Sequence, residues 1–306
     1  RPEEIGESSG TRSDRPQEIG ESSGTRSDRP EEIGESSGTR SDRPQESENE
    51  SSQTRQTGKP EEILNSVNSR IGSQSDKFEL TYTQDQLDSI IKKGKELGLS
   101  DKVIEDLIYT GSRKAKAISA DELIGQMEHW VNVISKRGFP EKFTDKNEFQ
   151  EFSQDLLKGV RNAGIPADDI RIQGSSLRKT SAQDVDIAAF VDEPTFDRLL
   201  VQRYHERITI KETNTKVSLN DKSHEELVQL ANDIVANPAK YNSQGNTFQN
   251  ALLNGIISSK SDIVKPLKTA SKEINNKYPH LNVESISVLI RGGRFDVKPD
   301  LPVTGN

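Results

Sequence analysis

The apolar positions of this chain change their spacing several times, and each change predicts an element. Leu87, Ile90, Ile91 and Leu97 recur at helical intervals, as do Val103, Ile104, Leu107 and Ile108, so two short amphipathic helices are expected. Ser119 and Glu122 form a capping-box pair ahead of Leu123, Met127, Trp130, Val131 and Ile134, with Gly138 and Pro140 as the stop. Asp145 and Glu148 open a helix carrying Phe149, Phe152, Leu156 and Val160, closed by Gly164 and Pro166. The period then shortens, and 169–173 and 184–191 read as strands joined by a Gly-Ser turn. Pro194 starts a helix that runs to about Arg203, and 207–212 is polar and strand-like. Ser223 and Glu226 cap a helix over Leu227, Leu230, Ile234 and Val235, and helical stretches follow near 246–258 and 262–276. The β-branched run 283–290 reads as a strand. Arg291-Gly292-Gly293-Arg294 then signals a hairpin into a second strand, with Phe295 and Val297 on one face and Asp296 on the other. The expected fold class is α+β: a short mixed sheet with helices on one side.

Four segments are expected. Residues 1–56 are polar repeats, 57–76 a linker, 77–144 a helical accessory region without chemistry of its own, and 145–306 the α+β domain. The first segment holds three copies of a 14-residue unit, RP(E/Q)EIGESSGTRSD, and a decayed fourth. Each copy offers one Ile and no aromatic residue, too little apolar area to offset the entropy of ordering, so a disordered array is expected rather than a solenoid. It carries 8 Arg against 14 Asp and Glu, a net −6, which leaves −2 on the other 250 residues. Near-neutrality there argues against binding nucleic acid through bulk electrostatics and leaves room for a local basic patch. The absence of cysteine excludes disulfides, Cys-zinc sites and thiol catalysis. His129, His205, His224 and His280 lack ligand spacing and read as surface or packing residues. No apolar run reaches the ~18 residues of a membrane span. The chain opens inside a repeat and without Met, so a piece of something longer is expected. The run Leu301-Pro302-Val303-Thr304-Gly305 is similar to a sortase recognition motif but lacks the apolar segment and basic end of a cell-wall anchor, and it reads as coincidence.

The chemistry concentrates in 174–190, GSSLRKTSAQDVDIAAF. In an extended strand the side-chain period is two, so Asp184 and Asp186 project from one face, roughly 7 Å apart along the backbone, while Val185 and Ile187 enter the core. Two carboxylates side by side, with no basic partner evident, suit a hard divalent cation such as Mg2+, which takes oxygen ligands and also holds substrate phosphates. The preceding turn offers the backbone N–H groups of Gly174 and Ser175, and a hydroxyl, to phosphate oxygens.

Ile172-Gln173-Gly174-Ser175 followed by Asp184-Val185-Asp186-Ile187 resembles the signature of the DNA polymerase β-like nucleotidyltransferase superfamily, although the spacer of eight residues is slightly shorter than usual. The resemblance implies transfer of a nucleotidyl group from an NTP, ATP foremost, to a hydroxyl, assisted by two Mg2+ or Mn2+ ions. It implies Asp184 and Asp186 as metal-holding catalytic residues, Gly174 and Ser175 as the clamp on the β- and γ-phosphates, and a third carboxylate from a neighbouring strand. Asp296, in Asp296-Val297-Lys298-Pro299, is the candidate; Glu212 and the weaker Asp300 are rivals. Arg178 or Lys179 either neutralises the triphosphate or is a solvated loop residue. A repeat region, a helical unit and a terminal enzyme domain also resemble the layout of bacterial polymorphic toxins, which implies work in a cytoplasm-like compartment of the same or a target cell. The implied acceptor is RNA such as tRNA, a protein side chain or a small molecule. The rival expectation is a catalytically inactive nucleotidyltransferase-like binding module.

Overall fold

The computed structural model describes residues 59–258, 265–283 and 285–304; the repeats at 1–56 lie outside them. Helices α1 (Pro60–Gly72), α2 (Gln84–Glu96), α3 (Asp101–Gly111) and α4 (Ala120–His129) come first. The last continues through a π-helical turn, Trp130–Ile134, into the short α5 (Ser135–Arg137), which ends on Gly138 in the left-handed region. Then follow α6 (Lys146–Asn162), β1 (Ile170–Gln173), β2 (Asp186–Val191) and α7 (Glu193–Tyr204). A small hairpin of β3 (Thr209–Ile210) and β4 (Thr215–Lys216) precedes α8 (His224–Ala236) and α9 (Ser243–Asn254). The described chain closes with β5 (Ile256–Ser258), α10 (Lys265–Lys277), β6 (Ile286–Ile290) and β7 (Leu301–Pro302). The side chains of Thr83, Ser100, Ser119, Asp145, Asp192, Ser223 and Asn242 each accept a backbone N–H of the first helical turn, so most helix starts follow local capping chemistry.

The architecture is mixed α+β with a five-stranded sheet in the order β5-β6-β2-β1-β7. β2 and β6 run parallel and the other neighbours antiparallel. One face of the sheet buries Ile170, Ile172, Ile187, Ala189, Ile286 and Val288 in a large core shared with α6 through α10. The period of two sends Arg171, Gln173, Asp186, Ala188 and Phe190 to the other face. A second core, Ile63 to Met127, belongs to the N-terminal helices. The division between the cores falls inside the helix at 127–134, before the expected boundary at 144.

Three expectations are corrected. The expected linker 57–76 holds α1, whose Ile63, Val67 and Ile71 are buried in the second core. The helix expected to reach 258 stops at Gly255, φ +64°, and the next three residues form β5. The hairpin after Gly293 does not form: Gly293 donates to the Ile290 carbonyl, Asp296 donates to the Gly293 carbonyl, and the chain coils. The physical reason is that β6 is flanked by β2 on one side and β5 on the other, so it has no open edge for a hairpin partner. The chain joins the sheet again only at β7, beside β1. Residues 301–304 of the sortase-like run are thereby drawn into the fold, with Val303 buried and its N–H donating to the Ile170 carbonyl, and Gly305 lies outside the described residues.

Candidate functional site

β1 ends by pairing Gln173 with Asp186, the first residue of β2. The next residue, Gly174, adopts φ +83° and ψ −156°, a region open in practice only to glycine. A Cβ on it would lie 2.0 Å from Asp186 Oδ2. The turn and the carboxylate are therefore in contact, and a side chain at position 174 would push the carboxylate aside. A 3-10 turn, Ser175–Leu177, follows, its Ser175 carbonyl accepting the N–H groups of Arg178 and Lys179 at 3.0 Å. Buried Leu177 anchors this turn in the core.

Arg178 folds back over the turn. Its Nε donates to the Gly174 carbonyl at 3.2 Å and its Nη1 to Thr110 Oγ1, at the end of α3, at 3.0 Å. Burial pushes its pKa down, the Asp186 charge opposes that, and Arg113 reinforces it. A guanidinium remains protonated throughout the ordinary pH range, so Asp186 has a cation beside it. This corrects the expectation of a carboxylate pair without a basic partner. Lys179 is exposed, and Asp184 sits half-buried in the extended approach to β2, followed by buried Val185. That approach is pinned at Gln183, whose carbonyl accepts Lys142 Nζ at 2.8 Å, while Lys142 also reaches the His280 carbonyl at 3.0 Å.

A cavity of about 750 Å³ opens over this face. Six expected residues line it: Gly174, Ser175, Arg178, Lys179, Asp184 and Asp186. Asp296 does not. Its flanking residues Phe295 and Val297 do line the cavity, and Gln173 Nε2 donates to the carbonyls of both, at 3.3 and 3.1 Å. Asp296 instead accepts from Arg171 Nη1 at 3.1 Å and from the Gly292 N–H at 2.8 Å. Arg171 also binds Asp169 and Asp300, and Arg291 reaches Asp169. Asp296 and Asp300 thus belong to an ion-pair cluster centred on Arg171. Glu212 lies exposed in the turn of the separate β3–β4 hairpin.

The strand beside β2 offers hydroxyls. Ser287 pairs with Ala188, and continuing the register by one residue sets Ser285 beside Asp186; both serines line the cavity. Among the described residues, no three His, Cys, Asp or Glu side chains group as a metal-ligand set. Mg2+ that travels with a triphosphate needs only one or two carboxylates, the rest of its shell being phosphate and water, and Asp184 with Asp186 fits that requirement. The sequence reading missed Gln173, the two serines, and the wall contributed by Tyr109, Thr110 and Arg113. A visible signal was the basic run Arg113-Lys114 and Lys116, set in a region read as free of chemistry. Comparison with family models, with curated proteins and with solved structures returns no match.

Proposed function

We propose that this chain is a nucleotidyltransferase, moving an NMP from an NTP to a hydroxyl acceptor in the cavity over β1 and β2. The observation that carries the reading is the contact between Gly174 and Asp186, which makes a glycine turn and a carboxylate parts of one site. Gly174 and Ser175 face the triphosphate with backbone and hydroxyl donors. Arg178, fixed by Gly174 and Thr110, sets positive charge where pyrophosphate develops negative charge. Mg2+ held by Asp184 and Asp186 would supply neutralisation of the phosphate charge. The acceptor oxygen bonds to the α-phosphorus, the bond to the bridging oxygen breaks, pyrophosphate leaves, and the hydroxyl proton passes to water. Such catalysis is positioning and charge neutralisation, and needs no His or Cys nucleophile.

Incubation of the full chain with NTPs labelled at the α-phosphate, Mg2+ and cell extract tests this reading. Label should move to an acceptor with wild type and with Asp296→Asn, and should fail to move with Asp184→Asn/Asp186→Asn. One observation favours a second reading, an inactive binding module: β6 presents serines beside Asp186, while Asp296 is held by Arg171. NTP binding with no transfer to any acceptor selects that reading.

A further inference from the structure

A second cavity, about 670 Å³, adjoins the first. Both are lined by Phe78, Arg113, Lys116, Ile256, Arg294 and Phe295, so those residues stand between two neighbouring chambers. The second chamber has no carboxylate pair and no glycine turn. Its charged lining is Lys77, Arg113, Lys114, Lys116, Arg203 and Arg294 against one acid, Asp76. Glu79 approaches Lys114 from outside at 3.8 Å, between two exposed side chains, and offsets little of this. Three of the arginines lie over aromatic rings of the same chamber: Arg113 over Phe78 at 5.8 Å, Arg203 over Tyr204 at 4.9 Å and Arg294 over Phe295 at 5.3 Å. Asn254, also in the wall, accepts Arg294 Nη1 at 2.8 Å and holds that guanidinium in place.

Tyr204, Arg203 and Phe78 are buried, which leaves Phe295, Arg113 and Arg294 as the flat surfaces open to the chamber; with the lysines they match a ligand carrying both phosphate and a nucleobase. Bases stack on aromatic and guanidinium planes, and phosphate oxygens take Arg and Lys donors. The volume lies within the ~300–1,000 Å³ of ordinary ligand pockets. A protein hydroxyl or an uncharged sugar would bring no negative charge to a wall in which the cations outnumber the acid, and an aminoglycoside would be repelled. A surface net of −2 outside the repeats makes this concentration of positive charge a local feature rather than a property of the whole chain.

We propose that the second chamber is the acceptor site and that the acceptor is a nucleotide unit, presenting its hydroxyl across the Phe78–Phe295 partition toward Asp184 and Asp186. The inference rests on the nucleotidyl-transfer reading. The unit is either a free nucleotide or the end of an RNA strand, both having the same recognised chemistry.

The test uses the full chain and two probes: a fluorescein-labelled eight-nucleotide single-stranded RNA with a free 3′ hydroxyl, and a fluorescent nucleoside 5′-diphosphate. Binding is read by fluorescence anisotropy, and NTP binding with Mg2+ is read separately by calorimetry. Lys77 and Lys114 line only the second chamber and are exposed, so Lys77→Glu/Lys114→Glu leaves the fold unthreatened. The variant should weaken whichever probe binds at least tenfold and flatten its salt dependence, while NTP affinity stays within twofold. Tight binding by the RNA alone assigns the acceptor to a strand end; binding of the diphosphate as well assigns it to a free nucleotide. Neither probe binding to wild type overturns the proposal, as does equal binding by wild type and the charge-reversed variant. Failure of NTP binding with intact probe binding removes the transfer reading and leaves the basic chamber as a nucleotide site.

Discussion

Replacing Gly174 by Ala isolates the contact on which the site depends. The backbone there, φ +83° and ψ −156°, costs a non-glycine residue about 1–3 kcal/mol. The new Cβ also meets Asp186 Oδ2 at 2.0 Å and Cγ at 3.0 Å, so the carboxylate must swing away. Asp186 is exposed at the head of β2, and that swing adds little to the cost of folding. The stability loss is therefore set by the backbone, and for a domain of this size, at about 2–4 °C per kcal/mol, it lowers Tm by roughly 2–12 °C. The functional loss is set by the carboxylate, which leaves the position it shares with the turn and with Arg178. Calorimetric titration of NTP with Mg2+ should show a larger affinity loss than Ser175→Ala, which removes one hydrogen bond worth ~1 kcal/mol, or about fivefold. Asp186→Ser in the Gly174→Ala background relieves the clash but not the backbone, so it should recover little Tm. An unchanged Tm and unchanged NTP affinity in Gly174→Ala would refute both parts of the reasoning.

Arg171→Gln should lower Tm at pH 7 by exposing Asp169, Asp296 and Asp300 to one another, and the deficit should shrink as pH falls from about 5 to 3. The sign follows from Asp169: burial alone would raise its pKa, but hydrogen bonds from Arg171 and Arg291 hold it below the usual carboxylate range. Its stabilisation is present above the unfolded value of about 3.9 and is lost as pH drops through the lower folded value, a loss the variant has already suffered. Asp106 is fully buried and accepts from Arg70, from Lys102 and from the Lys298 N–H. Asp106→Asn should cost roughly 3–5 kcal/mol, as breaking a buried pair does, seen as a Tm fall of about 6–20 °C. His224 is raised above its ordinary pKa: burial works the other way, and is outweighed by the hydrogen bond and charge of Asp197, with Glu193 adding. Its contribution is complete below about pH 6.5 and fades as pH rises through the folded value, so His224→Gln should flatten the Tm profile between pH 6 and 8.

The residues most legible in the sequence are those whose geometry is local. Gly174, Ser175, Asp184 and Asp186 fall within 13 consecutive positions, and the period of two together with the glycine turn places them without knowledge of any distant partner. Asp296 is not placed by its local pattern because its setting depends on β5, and the three-residue strand Ile256–Ser258 continues the preceding helical pattern in the sequence. Once β5 covers the edge of β6, the Gly292-Gly293 turn has no strand to return along. α1 carries a readable signal, with Ile63, Val67 and Ile71 four apart and Pro60 at the helix start, but the polar residues between them obscure it. Arg178 was named, and its constraint was not: Thr110 is 68 residues away, a separation at which spacing carries no information.

That constraint changes the standing of the N-terminal helices. Read alone, 77–144 is a packed helical unit whose Met127 and Leu123 fill its own core. In the structure the end of α3 forms a wall of the cavity through Tyr109, Thr110 and Arg113, and Asp106 of the same helix accepts the Lys298 N–H from the segment leading to β7. The apolar surface available on the sheet's second face is small, essentially Ala188, Phe190 and Leu289 with Ile256 and Phe295. Hydrophobic burial there is limited, so the polar links at Arg178 and Lys298 act with the helix at 127–134, which runs from one core into the other, to fix helix against sheet. A cavity survives between them because those links join the two parts at separate points while the residues between, Gln173, Asp186 and Ser287, are too polar to be closed over. The position of Arg178 relative to Asp186 is then a property of both cores at once, and a domain starting at 145 would keep the carboxylates and lose the hydroxyl that aims the guanidinium.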